Sequence, residues 1–219
     1  MSVHVVRIWL SDRPGALGAV ASRIGAVRGD LIGIDILERG GGRAIDELVV
    51  ELPDAELVPL LVRELSQVDG VDVEDVRPLG PQPLDPRLDA LDTAIVLVEA
   101  PSVETLLQAL TLEATKDFEA QWATVIDQAG ATPLAGSGKV PSVEWLRAFL
   151  AGSRESMMVA NGSAAPDDVA WASLSASELT LVMGRNGRPF RARERRQATA
   201  LARIADARWT EFVVHRHRG

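Results

Sequence analysis

The sequence has no cysteine, no tyrosine and only three histidines in 219 residues. Its lysines are two, Lys116 and Lys139. Without cysteine there is no disulfide, no thiolate metal site and no cysteine nucleophile. Without tyrosine, and with lysine this scarce, nucleophilic or acid–base work falls to serine, threonine and carboxylates. No serine lies in a Gly-x-Ser-x-Gly elbow. His215 and His217 stand in a charged terminal segment of the kind that frays, and nothing around His4 marks it as a base. No apolar run is long enough to span a bilayer. The opening Met1-Ser2-Val3-His4 lacks the basic-then-apolar order of a signal peptide. These absences predict a cytoplasmic chain with no metal, no cofactor and no catalytic module. Carboxylates alone can catalyse, so an enzyme with its site in the second half is kept as the least favoured reading.

At 47% hydrophobic and 25% charged, the composition is that of an ordinary globular protein, long enough for two domains. The net charge of −8 is uneven. Arg185, Arg188, Arg191, Arg193, Arg195, Arg196, Arg203, Arg208, Arg216 and Arg218 crowd the end of the chain and leave its body strongly acidic. No helix-turn-helix, zinc finger or RNA-binding signature accompanies them, so a nucleic-acid partner is not expected. The arginines read as a solvated helix face pairing with the acidic body. Gly136-Ser137-Gly138-Lys139 imitates a phosphate loop, but Pro133 stands where such a loop needs glycine and Val140 where it needs a hydroxyl. It is expected to be a turn. Trp9, Trp122, Trp145, Trp171 and Trp209 fall on apolar faces and are expected to pack. Trp145, Trp171 and Trp209 come from three elements and are the residues that would line a pocket if the second half has one.

The stretch that organises the first half is Ser11-Asp12-Arg13-Pro14-Gly15-Ala16-Leu17. An apolar, β-branched run over residues 3–10 precedes it. Apolar residues at helical spacing follow: Leu17, Val20, Ala21, Ile24 and Val27. It is therefore a strand-to-helix turn. Pro14 suits a first helical turn, Asp12 sits where an N-terminal cap would, and Gly15 lets another group approach the backbone. The unpaired amides of the new helix favour an anion, while Asp12 can accept from an ammonium. That combination is a clamp for a free amino acid; the same residues also read as a well-capped helix start and nothing more.

Residues 31–38 predict a second strand, Gly40-Gly41-Gly42 a hairpin turn, and residues 44–52 a third strand. Pro53-Asp54 opens a second helix carrying Leu57, Leu61 and Leu65, Asp69-Gly70 closes it, and residues 71–76 form a fourth strand. The order βαββαβ is the ferredoxin-like split βαβ pattern. With its Asp-Arg-Pro-Gly-Ala-Leu turn, it resembles the ACT domain, a regulatory module that binds amino acids, usually between two copies. The resemblance implies a ligand site of Asp12, Arg13, Pro14, Gly15, Ala16 and Leu17, completed by Leu31, Ile32 and Gly33 of a neighbouring copy. Asp12 would hold the ammonium, and amides near Gly15 to Leu17 the carboxylate. Some amino-acid-binding ACT domains carry an asparagine near the start of the second strand, where this chain has Gly29-Asp30-Leu31.

Residues 79–87 hold three prolines and a glycine and read as a linker. The domains expected are 1–80, a proline-rich linker 81–87, and 88–219. In the second, two helices in series (residues 88–98 and from Ser102 on) lead to a strand at Trp122 and a partner strand over residues 132–135. A helix from Ser142, a loop at Asn161-Gly162, strands over 169–174 and 179–183, and a long helix from Pro189 complete it. Leu179 to Met183, Gly184-Arg185, Pro189-Phe190 and Arg193-Glu194 resemble the end of a GAF domain, a small-molecule or protein-interaction sensor. The whole is expected to be an α+β regulatory protein: an ACT-like domain, then a GAF-like domain with an antiparallel sheet and flanking helices. It would bind an amino acid or similar small molecule in a homodimer. The alternative is a ligand-free module that dimerises and docks a protein partner through its basic C-terminal helix.

Overall fold

Alternating apolar residues along the first strand generate a two-faced sheet, and the computed structural model shows how each face is used. It describes residues 1–79, 86–158 and 168–216. Of the expected linker 81–87, residues 81–85 lie outside them, as do the Asn161-Gly162 loop and His217, while Pro86 and Arg87 are not linker but open the first helix of the second unit. The chain divides into two compact units, Met1–Leu84 with Arg191–Arg193, and Asp85–Phe190 with Glu194–Gly219. Among the described residues the architecture is mixed α+β, with two antiparallel four-stranded sheets and six α-helices.

In the first unit, β1 (Ser2–Ser11), α1 (Ala16–Ala26), β2 (Asp30–Gly40), β3 (Arg43–Leu52), α2 (Val58–Leu65) and β4 (Asp72–Pro78) follow in the expected order. The sheet order is β2-β3-β1-β4, the split βαβ topology. Val6, Ile8 and Leu10 of β1 pack with Ala44, Leu48, Val50 and Leu52 of β3 against Val20 and Ile24 of α1 and Leu61 and Leu65 of α2. Burying each such aliphatic side chain is worth about 1.5–3 kcal/mol, and this shared core fixes the register: a one-residue slip would turn it to the other face. Asp54 does not open α2 directly. Its carboxylate accepts from Glu56 N at 2.9 Å and caps a short 3-10 turn, Ala55–Leu57, from which α2 continues.

The other face of this sheet carries polar residues. Arg7 is fully buried and is paired with Glu47 at 2.9 Å, which also pairs with Arg77 at 2.9 Å. Burial acts to raise the Glu47 pKa, but the two guanidiniums outweigh it and hold the carboxyl below its ordinary value. Trp9 donates its indole N–H to Glu74 at 2.6 Å and lies under the Arg43 guanidinium.

The second unit contains α3 (Pro86–Val98), α4 (Val103–Asp117), β5 (Trp122–Asp127), β6 (Pro133–Gly138), α5 (Val143–Met158), β7 (Val169–Leu174), β8 (Leu179–Gly184) and α6 (Ala192–Arg216). Its sheet order is β6-β5-β8-β7. Ser102 caps α4 by accepting from Thr105 N at 3.1 Å. One core joins Leu106, Leu110 and Ala114 of α4 to Ala123, Val125, Leu181 and Met183 of the sheet and Ala198, Leu201 and Ala202 of α6. A second, on Ile126, Val182 and Val169, is covered by Leu146 and Leu150 of α5.

Three expectations change here. Gly136, Ser137 and Gly138 are not a turn: they are strand residues of β6, paired with Thr124, Ala123 and Trp122 of β5. α6 begins at Ala192 rather than Pro189, because residues 185–190 are held as an irregular step by Arg185. That guanidinium donates to Phe118 O at 2.7 Å, Arg188 O at 2.9 Å and Pro189 O at 3.0 Å, and pairs with Glu194 at 2.7 Å. The three tryptophans proposed to share a pocket do not. Trp145 and Trp171 meet through Phe149, with Trp122 edge-on to Trp145 at 5.9 Å, whereas Trp209 packs on the core that contains α4 and α6. Trp122 fits because Gly184 opposite it has no side chain: a Cβ there would lie 2.5 Å from the indole.

Candidate functional site

The β1–α1 turn is built by the backbone rather than by a capping side chain. After Ser11, Asp12 N donates to Gly42 O at 2.9 Å, tying the turn to the β2–β3 hairpin, and Arg13 N donates to Ser11 O at 2.8 Å. Gly15, not Asp12, is the N-cap. It has φ +87°, in the left-handed region, and no side chain caps the helix. Asp12 is exposed and therefore does not play the capping role the sequence suggested. Pro14 lies one residue before the cap rather than inside the helix, so its fixed φ shapes the approach to the cap.

This geometry leaves an anion-receptive helix start. Ala16 N is bonded to Arg13 O at 3.2 Å and Ala19 N to Gly15 O at 3.1 Å. Between them, Leu17 N and Gly18 N have no acceptor among the described residues. They carry the positive end of the α1 dipole. Around Gly15, the position a Cβ would take meets no atom within 4 Å, so the space beside the cap is open. Asp12, Arg13, Pro14 and Gly15 are exposed, Ala16 is buried and Leu17 half-buried. Arg13 reaches Asp69 at 3.7 Å; both side chains are exposed, and such a pair contributes little.

Leu31, Ile32 and Gly33 are not brought to the turn within one chain. Leu31 pairs with Val50 of β3, whereas Ser11 at the turn pairs with Arg43. Seven residues of β3 separate the two positions, about 24 Å along a strand. β2 is an edge strand, and on it Ile32, Ile34 and Ile36 are exposed.

The structure adds a residue that the pattern reading overlooked. Asp46 of β3 lies opposite Ile8 of β1 and Ile36 of β2. It is 4% exposed, and its Oδ1 is buried without a hydrogen-bond partner. Burial raises its pKa above the ordinary aspartate value; Arg39 acts to lower it, and Asp12 adds to the rise. A signal was available in the sequence: in the alternation Ala44, Asp46, Leu48, Val50, Leu52, the aspartate takes an apolar register position.

The arginine-rich end is largely engaged within the second unit. Arg188 pairs with Glu119 at 2.6 Å, Arg195 donates to Val169 O at 3.1 Å and lies over Trp171, and Arg208 donates to Ala100 O at 2.9 Å and pairs with Glu211. No helix among the described residues is long and apolar enough to cross a membrane.

No protein-family model and no curated protein matches the chain. Three solved structures are similar to parts or most of it. An uncharacterised protein of Thermotoga maritima is 24% identical, with 36% of this chain and 98% of that one covered, at a TM-score of 0.29. The ACT domain of the GTP pyrophosphokinase of Chlorobium tepidum is 19% identical, with 36% and 97% covered, also at 0.29. A structure assigned as a glycine cleavage system transcriptional repressor is 14% identical, with 97% and 92% covered, at 0.30. At these scores the likenesses are remote.

Proposed function

We propose that this chain is a non-catalytic regulatory protein that senses a free amino acid, or a related small zwitterion, at the β1–α1 turn of an ACT-like domain. The observation that carries the reading is the open start of α1, where Gly15 in the left-handed region exposes the unpaired amides of Leu17 and Gly18. Two oriented N–H groups at a helix N-terminus suit a carboxylate. Asp12, freed from capping, is available to the ammonium.

In this reading residues 1–80 form the sensing domain, the linker expected over 81–87 ends before α3 begins at Pro86, and the rest of the chain is a GAF-like sensor or interaction domain. Leu31, Ile32 and Gly33 complete the site from a second copy, since one chain holds them too far from its own turn. The exposed isoleucines of the edge strand β2 support such a homodimer, because an uncovered apolar edge is a surface that native proteins cover. The protein acts in the cytoplasm, away from membranes and nucleic acid, and a ligand-dependent change in assembly or in docking to a protein partner is its output.

Thermal shift of the full chain against the twenty L-amino acids tests the reading. At least one should raise the melting temperature; if none does, the turn is not a sensor of amino acids. Sedimentation at micromolar protein should show a dimer, and a single 23.5 kDa species would remove the second copy from the site.

A further inference from the structure

We propose that the outer face of α3 is a docking surface for an amphipathic helix of a protein partner, one that carries apolar residues at matching spacing with lysine or arginine beside them. The inference stands independently of the sensing turn. Leu88, Leu91, Ile95 and Val98 follow one another at intervals of three, four and three residues, which sets them in one line along the helix. They are 51–60% exposed, so an aliphatic stripe lies in water. The fold uses the other side of α3. Thr93 is buried there, its hydroxyl 2.9 Å from Asp117 and 3.3 Å from Glu113 of α4, and Leu97 is buried in the core with Leu106 and Leu110. A helix that only packed on α4 would carry polar residues along the line from Leu88 to Val98.

The charge beside the stripe selects the occupant. Asp92, and Glu99 just past the end of α3, are both exposed and stand one heptad apart, so they line one border of the stripe. Asp89 lies further round the helix on the same side. Among the described side chains of α3 the charged ones are therefore acidic. An anionic lipid surface is repelled by such a border; helices that lie on membranes carry lysine and arginine beside their apolar stripe. A second copy of α3 would bring Asp92 and Glu99 to the contact again, and laid antiparallel it would set them against their counterparts. A basic amphipathic helix meets both demands. Its apolar residues cover Leu91, Ile95 and Val98, and its flanking cations neutralise Asp92 and Glu99.

The test uses the full chain and two synthetic helical peptides of about three heptads. Both carry leucine at the a and d positions; one has lysine at e and g, the other glutamate. Calorimetry at low salt should show the lysine peptide binding in a one-to-one ratio and the glutamate peptide not binding. The double variant Leu91→Gln with Ile95→Gln changes only exposed positions, so it should melt as the wild type does and bind the lysine peptide at least about tenfold more weakly. Asp92→Asn with Glu99→Gln should weaken binding about twofold or more at low salt and reduce its salt dependence. Binding that the glutamine variant retains in full is attraction between net charges alone and overturns the proposal. Absence of binding to the wild type also overturns it. Sedimentation of the wild type as a larger species than the glutamine variant assigns the stripe to a second copy of α3 and overturns the basic partner.

Discussion

Replacing two glycines at the start of α1 by alanine should change stability in opposite directions. Gly15 caps α1 at φ +87°, where an L-residue pays about 1–2 kcal/mol for its Cβ. A Cβ at Gly15 would meet no atom within 4 Å, so backbone strain is the whole cost and no clash is added. Gly18, three residues on, lies inside α1 with helical backbone, and a Cβ there also meets nothing within 4 Å. In a helix interior alanine is better than glycine by roughly 0.5–1 kcal/mol, because the unfolded chain loses less freedom on folding. Gly15→Ala should therefore destabilise the first unit by about 1–2 kcal/mol, and Gly18→Ala should stabilise it by roughly half that. Four of the five tryptophans lie outside that unit, so fluorescence would report mainly on the other. Native-state hydrogen exchange of β1 and β3 amides in a urea series reads the first unit directly. Shifts of the same sign in both variants would refute the assignment of Gly15 as a left-handed cap.

Three further perturbations follow from the packing and the charges. Arg185→Ala strips donors from three carbonyls and the guanidinium from Glu194, and should cost about 3–5 kcal/mol in urea unfolding; Arg185→Lys, lacking the fork, should recover only part of it. Gly184→Ala drives a methyl into the Trp122 ring and should cost about 1–3 kcal/mol with a shift in tryptophan emission, whereas unchanged emission would mean the ring does not lie on β8. Burial pushes Asp117 up to about 6 despite the hydroxyl that Thr93 donates to it, with Glu113 adding to the rise. Because the folded form then holds its proton more tightly than the unfolded one, stability should fall as pH rises from about 4 to 6. Asp117→Asn should flatten that part of the profile and be the more stable protein at pH 7.

The element order was legible because the strands stand out as short apolar, β-branched runs, and α1, α2 and α4 as apolar residues at a spacing close to 3.6. Boundaries failed where a side-chain or cross-strand hydrogen bond decided them. Pro189 looks like a helix start, but Arg185 gathers the carbonyls of Arg188 and Pro189 and delays α6 to Ala192. Gly136 and Gly138 look like turn residues because glycine usually breaks strands, yet pairing with β5 holds them in β6. At the site, the turn itself was readable from Asp12, Pro14 and Gly15. Which of them caps the helix was not, since Asp is the commoner cap and only the backbone angle at Gly15 decides. Asp46 was missed although its place in the Ala44–Leu52 alternation already puts it on the buried side of β3, because an aspartate reads as a polar residue wherever it stands.

The most direct measurement is made on the amides themselves. In a chain labelled with 15N-glycine and 15N-leucine, the resonances of Gly15, Leu17 and Gly18 are followed by two-dimensional NMR while L-amino acids are added. The account predicts saturable shifts at these three amides, larger than at Gly25 near the far end of the same helix. Saturable shifts that leave Gly15, Leu17 and Gly18 unmoved, or the absence of any shift across all twenty amino acids, would contradict it.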